Sequence, residues 1–162
     1  MDSTKLPKVL ISKAAPKQAD NLRTFLLRAN IGADAVPAVR EFWTATFQKR
    51  IVGCAAIQRV GLYGIIHSIA VEKACRRQGI GTKLLKHCLR EARTDRLQLV
   101  ALTTMFWNIA FFKRAGFETT SRKRLPLELQ GHPDFFSPRF RYTTPMILVL
   151  RRTKALTHSR RR

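Results

Sequence analysis

The stretch Ala70-Val71-Glu72-Lys73-Ala74-Cys75-Arg76-Arg77-Gln78-Gly79-Ile80-Gly81-Thr82 decides the fold. An apolar run from Leu62 to Glu72 reads as a strand, and it feeds a basic loop that ends in two glycines. From Gly79 to Arg93 a helix is expected. Ile80, Leu84, Leu85, Cys88, Leu89 and Ala92 share one of its faces, and Lys83, Lys86, Arg90 and Arg93 the other. Strand, loop and helix start, in that order, turn backbone N–H groups and the positive end of a helix dipole toward an anion. Gly79 and Gly81 carry no Cβ, so a pyrophosphate can approach the main chain, and Arg76 and Arg77 add charge beside it. Two glycines at a helix start also suit plain capping, and the stretch by itself leaves both readings open. Two other phosphate loops are excluded. No Gly-Lys-Ser/Thr follows at the Walker spacing, and the three spaced glycines of the dinucleotide fingerprint are absent.

Working outward, Lys8–Lys13 reads as a short strand, and Leu22, Phe25, Leu26 and Ala29 as a helix after Pro16. Asn30–Pro37 reads as a loop or broken helix. Phe42–Gln48 and Ile51–Arg59 form a hairpin about Lys49-Arg50, so the first half is an antiparallel meander. Downstream, Leu97–Thr103 is a strand, and Asn108–Ala115 a helix stopped by Gly116. Pro126, Gly131, Pro133 and Pro138 mark an irregular stretch, and Met146–Leu150 is a last strand. The pattern is α/β in one unit, expected over residues 1–150, with a basic tail over 151–162.

Composition narrows the class. Among 162 residues, 31 Lys+Arg face 10 Asp+Glu, a net charge of +21, yet 45% are hydrophobic. That apolar fraction supports a packed core and argues against disorder. No apolar run approaches the roughly 20 residues of a membrane span, so no membrane partner is expected. Cys54, Cys75 and Cys88 are too few for a disulfide scaffold and lack metal-type spacing; no metal is expected. The N-terminus has no apolar signal core, which makes a cytoplasmic location the expectation. The basic excess admits nucleic acid, an anionic membrane surface or a phosphorylated ligand, and equally a solvated basic surface.

The residues carry a family resemblance. Arg76-x-x-Gly79-x-Gly81, preceded by Ser68-Ile69-Ala70-Val71 and followed by an amphipathic helix, resembles the acetyl-CoA loop of the GNAT family of N-acetyltransferases. A second segment, Asn108-Ile-Ala-Phe-Phe-Lys-Arg-Ala-Gly-Phe117, is similar to that family's Asn…Phe-Tyr-x-Lys-x-Gly-Phe, in the right order and at a fitting distance. The resemblance spans about residues 8 to 150. It implies a single α/β domain with a mixed, mostly antiparallel sheet, flanked by helices and splayed between its fourth and fifth strands, with acetyl-CoA in the gap. It also implies that the pantetheine pairs with the main chain of Ile69, Ala70 and Val71. The pyrophosphate would rest on the loop formed by Arg76, Arg77, Gln78, Gly79, Ile80, Gly81 and Thr82. Asn108, with Phe111 and Phe112 behind it, would face the thiol region, although Asn108 also suits the N-cap of its helix.

The chain departs from the family at the acid. Phe112 stands where many members carry the tyrosine that protonates the departing thiolate, and neither Tyr63 nor Tyr142 lies in the motif. A thiol of pKa about 8.5 is a fair leaving group without help. Attack still requires a neutral amine, and hence a base. His67 stands near the position of the family's strand glutamate. Period-two alternation places it on a face with Tyr63, Ile65, Ile69 and Val71. A strand histidine equally serves as a packed, hydrogen-bonded residue. Glu41 and Glu72 are the other candidates.

A finer likeness points to the acceptor. Leu102-Thr103-Thr104, Phe111-Phe112, Arg124-Leu-Pro126, Phe135 or Phe136 and Met146 form an ordered series. It resembles the acetyltransferase domain of N-acetylglutamate synthases and the small arsenic-resistance N-acetyltransferases, which tend to share the phenylalanine. This implies transfer to a small-molecule amine that bears a carboxylate, with Arg139 and Arg141 as binding candidates. Transfer to a protein N-terminus, a lysine or an aminoacyl-tRNA is the alternative. A non-catalytic nucleic-acid or ribosome-binding protein is the third reading, with nucleic acid not the favoured partner. The chain is expected to be a monomer or homodimer.

Overall fold

The computed structural model describes residues 8–31 and 40–151. Among them are seven strands of a mostly antiparallel sheet and five α-helices, an α/β fold as the sequence implies. Most of the predicted Asn30–Pro37 loop, and the predicted basic tail beyond Arg151, lie outside the described residues. The chain divides into two compact units. One joins the residues up to Arg59 with Ile65–Glu91, and the other joins Val60–Gly64 with the residues from Ala92 onward.

In the first unit the strands run in the order β1 (Leu10–Lys13), β2 (Arg40–Phe47), β3 (Arg50–Val60) and β4 (Tyr63–Val71). β1 and β2 pair antiparallel from Leu10↔Thr46 to Lys13↔Trp43. The β2–β3 hairpin closes at Phe47↔Arg50, one residue earlier than the sequence suggests. Its two loop residues, Gln48 and Lys49, have φ of 47° and 63°, as the type I′ turn between twisted strands requires. Helix α1 (Ala19–Arg28) buries Leu22, Phe25 and Leu26, at i, i+3 and i+4, against Phe42, Ile51, Cys54 and Ala56. β3 is buried continuously from Ile51 to Ile57, which explains its unbroken apolar run.

Helix α2 (Ile80–Thr94) lies close to the sheet because residue 53 is glycine. A Cβ there would stand 3.1 Å from the Ala70 carbonyl oxygen, 3.2 Å from Leu84 Cδ1 and 3.3 Å from Ile80 Cγ2. An isolated glycine inside a strand often marks such an approach. Gly53 thereby brings the first turn of α2 beside the end of β4.

One turn further along α2, His87 stacks on Trp43 of β2 with ring centroids 4.6 Å apart and planes inclined by 28°. Burial, and then the Arg90 guanidinium, hold the imidazole below its ordinary pKa of 6.5, against a smaller opposing pull from Glu91. The unfolded chain therefore binds the proton near pH 6.5 while the folded chain resists it. Stability contributed by neutral His87 is present above pH 6.5 and is lost as pH falls toward the lower folded value. A His87→Phe variant keeps a ring on Trp43 and removes the titration. Its loss of melting temperature between about pH 7.5 and 5.5 should be smaller than that of the parent, and equal losses would refute the assignment.

The second unit orders its strands β5 (Leu99–Thr104), β7 (Thr144–Val149) and β6 (Glu118–Thr119), all antiparallel. Helix α3 (Ile109–Arg114) ends as predicted at Gly116, whose φ of 97° needs a residue without Cβ. The Gly116 and Phe117 N–H groups cap the Lys113 and Phe112 carbonyls at 3.0 and 3.1 Å. The proline-marked segment contains two short helices, α4 (Leu127–Gln130) and α5 (Pro133–Phe136), which periodicity could not show in four residues each. Arg122 fastens this segment. Its Nε donates to the Phe135 carbonyl at 2.6 Å, and one Nη donates to the carbonyls of Phe140 and Thr143 at 2.7 and 3.2 Å.

Candidate functional site

The predicted donor loop follows directly from the local structure at the end of β4. Ser68 has φ of 52° within β4, a left-handed backbone angle in the middle of an extended strand. Its carbonyl accepts from the Cys54 thiol at 3.2 Å. A left-handed residue breaks period-two alternation, so the common face expected for His67, Ile69 and Val71 does not carry past Ser68. Beyond it, Ile69, Ala70 and Val71 are half-buried. The Glu72 N–H then returns to the Val52 carbonyl at 2.7 Å.

A single 3-10 turn (Lys73–Cys75) leads into the loop proper. Arg76, Arg77, Gln78 and Gly79 are all exposed, and Arg77 and Gly79 both have left-handed backbone, φ 63° and 76°. A Cβ on Gly79 would meet nothing within 4 Å, so that glycine answers to backbone angle and not to space. The first intrahelical bond of α2 runs from the Lys83 N–H to the Gly79 carbonyl at 3.1 Å. The N–H groups of Ile80, Gly81 and Thr82 precede it, and helix geometry leaves them without an intrahelical acceptor. Left-handed residues ahead of a helix start form an anion-binding concavity, so the chain's own geometry fits a pyrophosphate here. Arg76 has a narrower task than the sequence suggests. Its Nε donates to the Val71 carbonyl at 3.0 Å, which ties the loop back to the end of β4.

His67 is 7% exposed, and its Nε2 lies 3.1 Å from Gln58 Oε1 on β3, a partner the sequence reading did not anticipate. The carboxylate alternatives are engaged elsewhere. Glu41 pairs with Lys13 at 3.1 Å and with Arg59 at 3.2 Å, and Glu72 pairs with Arg50. Burial pushes the Cys54 and Cys88 thiols up to about 12, which leaves them inert as nucleophiles.

In the second unit, Asn108 is exposed at the head of α3, and its side chain makes no capping hydrogen bond. It occupies the N-cap position considered for it, without the side-chain bond. Phe112 is buried edge-to-face between Phe111 and Phe117, with centroids 5.0 and 5.9 Å away, so the ring in the tyrosine position is core. Arg139 and Arg141 are exposed, with guanidinium carbons 5.6 Å and 4.7 Å from the ring centroids of Phe140 and Tyr142. No helix among the described residues is long and apolar enough to cross a membrane.

Comparison with known proteins places this geometry. The family model described as acetyltransferase (GNAT) domain matches residues 38–119. Over 84 residues, 49% of this chain and 47% of the relative, the sequence is 36% identical to an amino-acid acetyltransferase of Mycobacterium tuberculosis. The chain thus spans about half the length of the curated relative it matches. Among solved structures, a Mycobacterium tuberculosis protein in complex with CoA superposes with a TM-score of 0.74 at 21% identity, over 88% of this chain and 99% of that one. N-acetylglutamate synthase from Neisseria gonorrhoeae gives 0.70 at 20%, over 91% of this chain and 34% of that one. The Escherichia coli ribosomal-protein-S18-alanine N-acetyltransferase gives 0.69 at 18%, over 92% and 98%. At these identities the structural likeness establishes the fold.

Proposed function

Since the chain belongs to the GNAT acetyltransferase family, we propose that it transfers the acetyl group of acetyl-CoA to the primary amine of a small molecule, an amino acid or close analogue. The observation that carries this reading is the loop from Arg76 to Thr82, with two left-handed residues just ahead of α2. N–H groups that lack an intrahelical acceptor and a helix dipole converge there on a pyrophosphate-sized anion. The likeness to an amino-acid acetyltransferase supports the acceptor class.

Acetyl-CoA supplies an activated thioester. The residues of this chain bind, orient and move protons. The N–H groups of Ile80, Gly81 and Thr82 take the pyrophosphate, and the main chain of Ile69–Val71 aligns the pantetheine arm. Asn108, with its amide uncommitted to a cap, is assigned to the thiol end. His67 accepts the proton released as the amine nitrogen bonds to the carbonyl carbon. The C–S bond then breaks, and the sulfur takes its proton from solvent, because Phe112 has none to give. Arg139 and Arg141 offer forks to the acceptor's carboxylate.

The test is thiol release from acetyl-CoA with panels of amino acids, arsenical amino acids, basic peptides and aminoacyl-tRNA. Turnover with one class of small amino acid is expected, and tight CoA binding without turnover on any acceptor would overturn the enzymatic reading. Exclusive turnover on peptides or aminoacyl-tRNA would shift the acceptor to a macromolecule, an alternative that the +21 charge favours. In the same assay His67→Ala should lower kcat by roughly 10²- to 10⁴-fold and flatten the acid limb of the pH–rate profile. An unaltered profile dismisses His67 as the base.

A further inference from the structure

We propose that the outer face of α2 docks the phosphate backbone of a nucleic-acid duplex, at a site distinct from the donor loop at the start of that helix. Lys83, Lys86 and Arg90 stand exposed along this face at i, i+3 and i+7, and Arg93 continues the row in the last turn. Among the described residues none of Lys83, Lys86 and Arg90 is held in an ion pair with an acid. At 1.5 Å rise per residue the row from Lys83 to Arg93 is about 15 Å long. A duplex strand rises about 3.4 Å of axis per phosphate but winds as it rises, which sets neighbouring phosphates about 7 Å apart, so such a row reaches about two or three of them. The Arg90 charge is also felt on the protein itself, where it helps hold His87 in its neutral form.

The face favours nucleic acid over a lipid surface. Ile80, Leu84, Leu85, Cys88 and Leu89 are all buried beneath α2. What remains exposed on the helix is Thr82, Lys83, Lys86, Arg90, Arg93 and Thr94, with no apolar side chain to enter a bilayer. Amphipathic helices that lie on membranes need that apolar face. The donor loop uses the N-terminal end of the same helix. Lys86 and Arg90 sit one to two turns beyond it and have no part in that loop.

The experiment is fluorescence anisotropy of a labelled 20-base-pair DNA duplex titrated with the full chain between 50 and 200 mM KCl. The double variant Lys86→Ala/Arg90→Ala should bind more weakly, and its slope of log affinity against log salt should be shallower by about 2, at roughly 0.9 per lost phosphate contact. Its affinity for CoA, measured by calorimetry, should be unchanged. The exposed pair Lys113→Ala/Arg114→Ala, which removes the same charge from α3, serves as the control. An unchanged slope in the α2 variant, or an equal change in the α3 control, would overturn the proposal in favour of diffuse attraction. Loss of binding to phosphatidylserine vesicles with duplex binding intact would overturn it in favour of a membrane. Because the readout is duplex binding, its failure leaves the acetyl-transfer reading standing, and the reverse also holds.

Discussion

Replacing Arg122 with alanine is expected to destabilise the protein by about 3 kcal/mol or more. Its guanidinium satisfies the carbonyls of Phe135, Phe140 and Thr143 together, at 2.6 to 3.2 Å. A further bond reaches Thr143 Oγ1 at 3.1 Å. Hydrogen bonds from a charged donor contribute about 1.5 to 3 kcal/mol each when their acceptors are withdrawn from water, and these carbonyls are partly withdrawn, so the lower end applies. The Phe140 carbonyl also accepts from the Thr143 hydroxyl at 2.6 Å, so the loss falls on the carbonyls of Phe135 and Thr143, and α5 with the turn after it would lose its anchor to the residues following β6. For a chain of this size the loss corresponds to a fall of about 6 to 12 °C in melting temperature, with amide exchange accelerated first between Phe135 and Thr143. Arg122→Lys should rescue less than half, because a single ammonium cannot reproduce the planar fork that spans separate acceptors. A change under about 0.5 kcal/mol in the alanine variant would show the clamp to be incidental.

The second large effect concerns the donor. Gly81→Glu should lower CoA affinity by roughly 10²- to 10³-fold while leaving the fold intact. Gly81 sits in the first turn of α2, where glutamate has higher helix propensity than glycine and complements the dipole. Stability should therefore hold or rise slightly. The new carboxylate would occupy the place assigned to the pyrophosphate. Repulsion between like charges at about 4 Å, at a surface-like effective dielectric, costs up to about 4 kcal/mol. Calorimetry with CoA beside a thermal melt separates the two effects. Undiminished CoA affinity in a stably folded variant would refute the assignment of the loop.

Much of this protein was legible because periodicity is local. The strand-loop-helix from Leu62 to Arg93 and the stop of α3 at Gly116 follow from residue spacing and side-chain type, whereas the burial of Phe112 between Phe111 and Phe117 shows only in the fold. Other features depend on residues far apart in sequence. The tightness of α2 at Gly53 involves Ala70, Ile80 and Leu84, and the left-handed turn of the backbone at Ser68 carries no sequence signal. The pairing of His67 with Gln58 is of the same kind. Asn108 stands at the N-cap position of α3 as the sequence allows, and only the structure shows that its side chain makes no cap bond.

The charge shows where the division lies. From the sequence, Lys13 and Arg122 are two more cations in a total of +21 with no evident purpose. In the fold, Lys13 balances Glu41 and Arg122 closes three carbonyls, while the row on α2 stays exposed. The sequence by itself pointed to the α/β class and the family, and it offered the loop ahead of α2 as an anion site. Those rest on the order of apolar, glycine and basic residues within short windows. Only the tertiary structure decided which cations are engaged within the protein and which stay exposed, because a charge's partner is chosen by distance in space.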